Sequence, residues 1–152
     1  MSSLENRKYI KEKLTKEIIP ACCNGNKNAE AYLNRIFFVI RTLDDLYDGD
    51  IEVKKESIAK AFFIMSGELY FNSFFREHME ALSSIFIIGF NAWKDANEWE
   101  KSDDELKKIY AHVIRDFICE LFSFVAFLTG GPKSMNEMSL KIRAFFLKEL
   151  GD

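Results

Sequence analysis

The chain has 152 residues, of which 48% are hydrophobic and 30% are charged, and its formal net charge is −3 at pH 7. This length and this proportion of hydrophobic to charged residues predict a single globular domain over residues 1–152. The acidic net charge excludes the class of nucleic-acid-binding proteins that present a strongly basic surface. The longest apolar runs are too short to span a bilayer, and the N-terminus lacks the apolar segment of a secretion signal, so we expect no membrane insertion.

Hydrophobic periodicity predicts an all-α fold, a compact single-domain bundle of about six helices, because no alternating strand pattern is present. In chain order, the predicted helices cover about residues 5–19, 28–48, 53–70, 72–101, 102–130 and 134 onward. The connections between them are short, which favours antiparallel packing of neighbouring helices.

Local signals at the helix ends give several of these limits. Gly49 tolerates the left-handed turn that ends a helix, and Pro20 is expected to end the first helix before a loop over 21–27. The segments 102–105 and 134–137 both have the capping-box pattern that starts a helix. The Gly130-Gly131-Pro132 segment is expected to end the fifth helix.

The cysteine pattern indicates a reducing compartment. Cys22, Cys23 and Cys119 include an adjacent pair and form no CxxC motif, which does not resemble a disulfide framework. Together with the missing secretion signal, this predicts a cytoplasmic protein.

An acidic cluster lies where the second predicted helix ends. Four aspartates, Asp44, Asp45, Asp48 and Asp50, fall within seven residues. Carboxylates at a helix C-terminus are unfavourable because that end carries partial negative charge. Two explanations remain open: Asp44, Asp45 and Asp48 bind Mg²⁺ together with a substrate phosphate, or they form a solvated helix end that Arg41 partly neutralises. Helical spacing places Asp44 and Asp48 at the edge of the apolar face and points Asp45 away from it.

The order Asp44-Asp45-Leu46-Tyr47-Asp48 resembles the DDxxD motif of trans-prenyltransferases and terpene cyclases. Those families are all-α enzymes whose aspartates bind Mg²⁺ ions that hold a diphosphate. Terpene cyclases carry a second metal motif, an Asn followed by ligands at i+4 and i+8. Asn91 and Asp95 fit its first interval, but Trp99 occupies the third position. The resemblance therefore implies a metal-bound phosphate site rather than terpene chemistry.

Further candidate groups lie on the fourth and fifth predicted helices. His78 falls within the apolar stripe of its helix, either as a structural histidine or as a base in a pocket. His112, Asp116 and Glu120 lie along one strip of the fifth helix, and Glu120 falls within a run that is apolar nearly all round. We expect Glu120 to be protonated, hydrogen-bonded or metal-bound, because an unpaired buried charge is costly. The strip is either a structural network or part of a site with His78.

Two functions are compatible with these features. The first is a small enzyme that hydrolyses or transfers the phosphate of a phosphorylated or diphosphate small molecule, using Mg²⁺ at the aspartates and the histidines and carboxylates as acid and base. The second is a non-catalytic helical binding or regulatory protein, such as a phage or mobile-element accessory protein. It would contact a protein partner through an exposed apolar patch near residues 70–75. Self-association into a homo-oligomer is expected under either function.

Overall fold

The computed structural model describes residues 3–49 and 51–150, and the side chains of residues 5–49 and 51–147. Every regular element within these ranges is helical, which confirms the predicted all-α class. No helix within them combines the length and apolar content that a membrane crossing requires. The chain divides into two compact units, residues 1–78 and 79–152, which we call unit 1 and unit 2.

The helices occur in the predicted order with different limits. Unit 1 contains α1 (Ser3–Lys13), a π-helical turn (Leu14–Ile18), α2 (Ile19–Cys23), α3 (Lys27–Asp48), α4 (Lys55–Ser66) and a 3₁₀ turn (Glu68–Phe71). α5 (Ser73–Trp99) begins in unit 1 and continues into unit 2 after a kink at His78. Unit 2 also contains α6 (Glu105–Arg115) and α7 (Ile118–Leu150).

The first helical path extends past Pro20, so the predicted end at residue 19 is wrong and the loop is limited to 24–26. Proline has no N–H, and its ring clashes with the carbonyl one turn earlier in a regular α-helix. The π turn lies just before Pro20, and the Ile19 N–H bonds there to the Leu14 carbonyl, five residues back. The wider turn lets the helix pass through the proline.

Local caps place α3 within one residue of its predicted limits. The Asn26 side chain accepts a hydrogen bond from the Ala29 N–H at 2.9 Å, which caps the start. Gly49 has φ of 72° and ends the helix in the left-handed region, as predicted. The buried side of α3 carries Tyr32, Leu33 and Ile36.

The C-terminal half differs most from the prediction. The predicted fifth helix is interrupted at residues 116–117, so α6 ends at Arg115 and α7 begins at Ile118. Gly131, with φ of 77°, kinks α7 where that helix was expected to end. Helical structure continues from Pro132, so the segment 134–137 lies inside a helix and does not start one. The predicted third helix is also shorter, because α4 ends at Ser66 and a 3₁₀ turn follows Gly67.

Each unit has its own aromatic core. In unit 1, the buried Tyr32 ring stacks on Phe75 at 5.7 Å and tilts against Phe74 at 5.9 Å. In unit 2, Phe122 stacks on Phe146 at 6.3 Å. The three cysteines are buried and free of disulfides, in agreement with the expected absence of a disulfide framework.

Candidate functional site

The aspartate cluster lies at the C-terminal end of α3, and Asp45 turns toward α1. The Arg7 guanidinium donates a hydrogen bond to Asp45 Oδ1 at 2.7 Å, and both side chains are largely covered. The expectation that Asp45 points away from the packed face is therefore wrong. Asp45 follows the buried Thr42 by one helical turn, so it lies on the side of α3 that carries this buried residue.

The other two candidate metal ligands differ in their surroundings. Asp44 Oδ2 lies 3.9 Å from Arg41 Nη1, the ion pair that the spacing predicts. Asp48 is exposed in the last turn of α3. Within residues 3–49 and 51–150, no group of three His, Cys, Asp or Glu is arranged to hold a metal ion, and Asp50 lies outside that part of the chain. The Mg²⁺ role of Asp44, Asp45 and Asp48 stays a prediction.

A groove of about 450 Å³ opens beside Asp45 in unit 1. It is lined by residues of α1, the π turn, α3 and the segment 51–57, and we call it the α1–α3 groove. Its volume is typical of a small-molecule site. Its apolar lining comprises Ile10, Phe37, Phe38, Ile51 and Val53.

The charged lining of the α1–α3 groove is mainly cationic. Arg7, Lys11, Arg41 and Lys54 line it, against the two carboxylates Asp45 and Glu52. The two arginines are ion-paired, whereas neither lysine forms an ion pair with a residue in the described ranges. The groove therefore concentrates positive charge in a chain whose formal net charge is −3.

Sequence reasoning missed this groove. The basic residues from 7 to 16 are mixed with Glu5, Glu12 and Glu17 in the sequence, a pattern typical of a solvated helix face. The available signal was the spacing of Arg7 and Lys11, which places them one turn apart on the same side of a helix. Nothing in the sequence connects that pair with Arg41 and Lys54, which reach the groove from other segments.

His78 lies at the kink of α5, in unit 1. Its φ and ψ of −116° and 19° interrupt the helix, and its ring tilts against Phe74 at 4.9 Å between centroids. Its Nε2 atom lies 4.0 Å from Glu77 Oε2. Packing against Phe74 agrees with its predicted position on the apolar stripe, and its acid–base role stays a prediction.

In unit 2, a polar network joins the end of α5 to α6. Arg115 Nη2 donates to Glu100 Oε2 at 2.6 Å and to Asn97 Oδ1 at 2.5 Å. His112 is exposed, and its Nδ1 lies 3.9 Å from Glu100 Oε1. Asn97 is buried, and its Nδ2 has no hydrogen-bond partner among the residues described here. The network therefore places His112 with Glu100 and Arg115, and not with Glu120.

Asp116 and Glu120 lie on either side of the break between α6 and α7. Burial raises the pKa of Asp116, and the positive charges of His112, Arg143 and Arg115 offset only part of this effect. Glu120 is about half exposed and accepts a hydrogen bond from Arg143 at 2.6 Å. The expected burial of Glu120 in apolar surroundings is therefore wrong, because this face of α7 is open to solvent. Of the three expected states, the hydrogen-bonded one is present, with Arg143 as the partner.

The exposed apolar patch expected at residues 70–75 is also only partly present. Tyr70 and Phe71 are exposed, whereas Phe74 and Phe75 are buried against Tyr32. Asn91 and Asp95, which fit the first interval of the second metal motif, are both exposed on α5, and the Asn91 side chain donates a hydrogen bond to Asp95 Oδ2 at 3.2 Å.

The candidate residues belong to both units. The aspartates and His78 lie in unit 1, and His112, Asp116 and Glu120 lie in unit 2. The chain matches no protein-family model, no curated protein and no solved structure. The resemblance to the DDxxD families therefore stays at the level of the motif, and the function has to be argued from the groove and the surfaces themselves.

Proposed function

We propose that the α1–α3 groove binds a small phosphorylated molecule. The observation that carries this proposal is the excess of cationic side chains around a groove of small-molecule size, with Lys11 and Lys54 lacking an acidic partner among the described residues. A cleft lined mainly by one sign of charge focuses the electric field and raises the local concentration of an oppositely charged ligand.

Phosphate chemistry fits this lining better than a single carboxylate does. Lysine binds phosphate as a point charge, and arginine offers a planar fork for two oxygens. Lys11 belongs to α1 and Lys54 to the segment before α4, and a ligand with several anionic oxygens is suited to contact both. The rings of Phe37 and Phe38 give the rest of the ligand an apolar surface to contact.

We also propose that Mg²⁺ binds together with the phosphate. Mg²⁺ commonly combines one or two carboxylates with substrate phosphates. Arg7 and Arg41 already neutralise Asp45 and Asp44, so these carboxylates offer a bare metal ion little free charge. We therefore expect Mg²⁺ alone to bind weakly at Asp44, Asp45 and Asp48, and to bind more tightly once a phosphate group has engaged the arginines.

Thermal unfolding with inorganic pyrophosphate, with and without Mg²⁺, tests the proposal. A ligand at about 100 times its Kd stabilises the folded state by about 2.7 kcal/mol, which raises the Tm of a protein of this size by roughly 5–10 °C. The variant Lys11→Ala/Lys54→Ala should lose this shift. The control Lys8→Ala/Lys55→Ala removes the same charge from positions outside the groove and should keep it.

A separate variant tests the binding of Mg²⁺ in the same experiment. Asp44→Asn/Asp48→Asn should lose only the additional shift that Mg²⁺ produces in the presence of pyrophosphate. No shift in the wild type, or equal shifts in the groove variant and its control, would contradict phosphate binding in the groove.

A second candidate function is a non-catalytic protein that works through protein contacts. The observation that favours it is α6, where Leu106, Ile109, Tyr110 and Val113 are each more than half exposed. Contiguous exposed apolar side chains are typical of interaction surfaces. Sedimentation of the protein over a range of concentrations tests this function, because association through α6 requires no phosphate.

A further inference from the structure

We infer that the phosphorylated molecule bound in the α1–α3 groove is a nucleotide, whose base contacts Phe37 and Asn34. The inference rests on the proposed function, because it names the class of ligand that the same groove binds. It goes further, since a phosphate group alone would engage only the charged part of the groove lining.

The charged side chains of the groove lie toward the C-terminal end of α3. The short loop at 24–26 joins α2 to α3, so the helical path that starts with α1 and the helix α3 run in opposite directions. Arg7, near the start of α1, therefore meets Asp45, near the end of α3. Arg41 lies one turn before Asp45, and the charged residues of the segment 51–54 follow the end of α3 closely in the chain. We call this part the charged end and expect the phosphate groups there.

The opposite end of the groove is uncharged. Thr15, Asn34 and Phe37 line it, and the charged lining residues described here all lie nearer the charged end. Because an α-helix rises about 1.5 Å per residue, Asn34 lies roughly 16 Å along α3 from Asp45. A ligand that fills the groove is therefore elongated, with an anionic part at one end and an uncharged part at the other.

The polar side chains of the uncharged end act as hydrogen-bond acceptors. The Asn34 Nδ2 group donates to the Glu30 carbonyl at 2.9 Å, and the Thr15 hydroxyl donates to the Lys11 carbonyl at 2.7 Å. These bonds engage the hydroxyl proton of Thr15 and one amide N–H of Asn34, so Thr15 Oγ1 and Asn34 Oδ1 have lone pairs to offer. A ligand suited to this end carries N–H or O–H donors.

Phe37 adds an aromatic surface to these acceptors. The neighbouring Phe38 ring is already covered on one face, because Lys60 Nζ lies 4.5 Å from its centroid. A nucleobase stacks on an aromatic ring through its flat face and hydrogen-bonds through its edge. It can therefore use the ring of Phe37 and the acceptor of Asn34 together.

Other phosphorylated molecules use only part of this lining. An alkyl chain contacts Phe37 but leaves Asn34 Oδ1 partly covered without a donor, which costs binding free energy. A sugar without a base supplies O–H donors but lacks an aromatic face to stack on Phe37. The combination of ring and acceptors thus favours a nucleotide.

Isothermal titration calorimetry with ADP, pyrophosphate and isopentenyl diphosphate, all without Mg²⁺, tests the inference. The three ligands share a diphosphate group and differ in the part that would occupy the uncharged end. ADP should bind roughly 5- to 150-fold more tightly than pyrophosphate, because one base stacked on an aromatic side chain typically contributes this much. Isopentenyl diphosphate should bind more weakly than ADP.

Phe37→Leu removes the aromatic ring and keeps an apolar side chain. It should abolish most of the preference for ADP and leave the Kd for pyrophosphate nearly unchanged, since the charged end stays intact. Asn34→Ala should weaken ADP binding by roughly 2- to 12-fold, as the loss of one hydrogen bond predicts, again with little effect on pyrophosphate. Phe62→Leu is the matched control and should keep the preference, because Phe62 is exposed on α4 and does not line the groove.

The possible outcomes separate this inference from the proposed function. Equal affinity for ADP and pyrophosphate, or tighter binding of isopentenyl diphosphate than of ADP, would overturn the nucleotide and leave phosphate binding in place. Failure of all three ligands to bind would overturn both. A preference for ADP that persists in Phe37→Leu would overturn the placement of the base.

Discussion

At the residue scale, the Arg7–Asp45 ion pair determines how much positive charge the α1–α3 groove offers. Asp45→Asn removes a lining carboxylate and releases Arg7 from its partner. In the absence of Mg²⁺, the Kd for pyrophosphate should decrease by roughly 1.4- to 5-fold, since partly exposed ion pairs contribute about 0.2–1 kcal/mol. Isothermal titration calorimetry measures the change.

Glu56→Gln is the control for this prediction. It makes the same change in net charge at an exposed position of α4 that does not line the groove. It should leave the Kd for pyrophosphate nearly unchanged. An unchanged or weaker affinity in Asp45→Asn would mean that Arg7 does not contact the ligand.

Asp116 gives a prediction about pH. Because burial raises its pKa, the folded state binds more protons than the unfolded state between the unfolded pKa, about 3.9, and the raised folded value. The contribution of Asp116 to stability therefore falls as the pH rises through this window.

The variant Asp116→Asn removes the ionisable group and keeps the shape of the side chain. It should have a higher Tm than the wild type at neutral pH, and the difference should disappear in acid below the unfolded pKa. Thermal unfolding followed by circular dichroism across this pH range measures it. A lower Tm at neutral pH would show that attraction between Asp116 and Arg115 or Arg143 outweighs the effect of burial.

At the residue scale, the ion pairs of the candidate aspartates were the least predictable feature. Arg41 with Asp44 follows from a spacing of three residues within one helix. Arg7 and Asp45 are 38 residues apart in the chain, and only the packing of α1 against α3 brings them together. The α1–α3 groove depends on such contacts between distant segments, so helical periodicity could not reveal it.

At the scale of the elements, a close contact between Gly89 and Phe117 lies at the break between α6 and α7. Gly89 is buried in α5, and a Cβ atom at this position would overlap the Phe117 ring. Phe117 lies inside the break, so the break and α5 are in close contact at Gly89.

The variant Gly89→Ala should therefore be destabilised. Alanine in a helix interior normally stabilises by about 1 kcal/mol relative to glycine, but overpacking costs typically about 1–3 kcal/mol. Urea unfolding should show a net loss of stability, and Phe117→Ala in the same chain should remove the part of that loss that comes from the overlap. Gly67→Ala is the control, because a Cβ atom there makes only an ordinary contact with the Phe63 carbonyl. A stabilised Gly89→Ala would contradict the close packing.

Element limits were predictable where local chemistry sets them. Asn26 and Gly49 cap α3 through their own side-chain and backbone properties, so both ends could be predicted. The break at 116–117 contains neither Gly nor Pro, so no residue within it signals the end of a helix. The helix continues through Pro20 because of a π turn. Hydrophobic periodicity does not reveal a π turn, so this path could not be predicted.

At the scale of the whole molecule, the two candidate functions belong to different units of one acidic chain. The α1–α3 groove of unit 1 concentrates positive charge, and α6 of unit 2 presents an apolar stripe. Hydrophobic periodicity along the chain predicted the all-helical class. Composition could not predict the local positive charge, because a net charge of −3 averages over the whole chain. The single domain over residues 1–152 stays a prediction.

An NMR titration of ¹⁵N-labelled protein with pyrophosphate and Mg²⁺ is the decisive test of phosphate binding in the α1–α3 groove. We expect saturable shifts of backbone amide signals concentrated in residues 7–15, 34–45 and 51–57, and we expect Lys11→Ala/Lys54→Ala to abolish them. The absence of saturable shifts, or shifts centred on the Arg115 network at residues 97–120, would contradict phosphate binding in the groove.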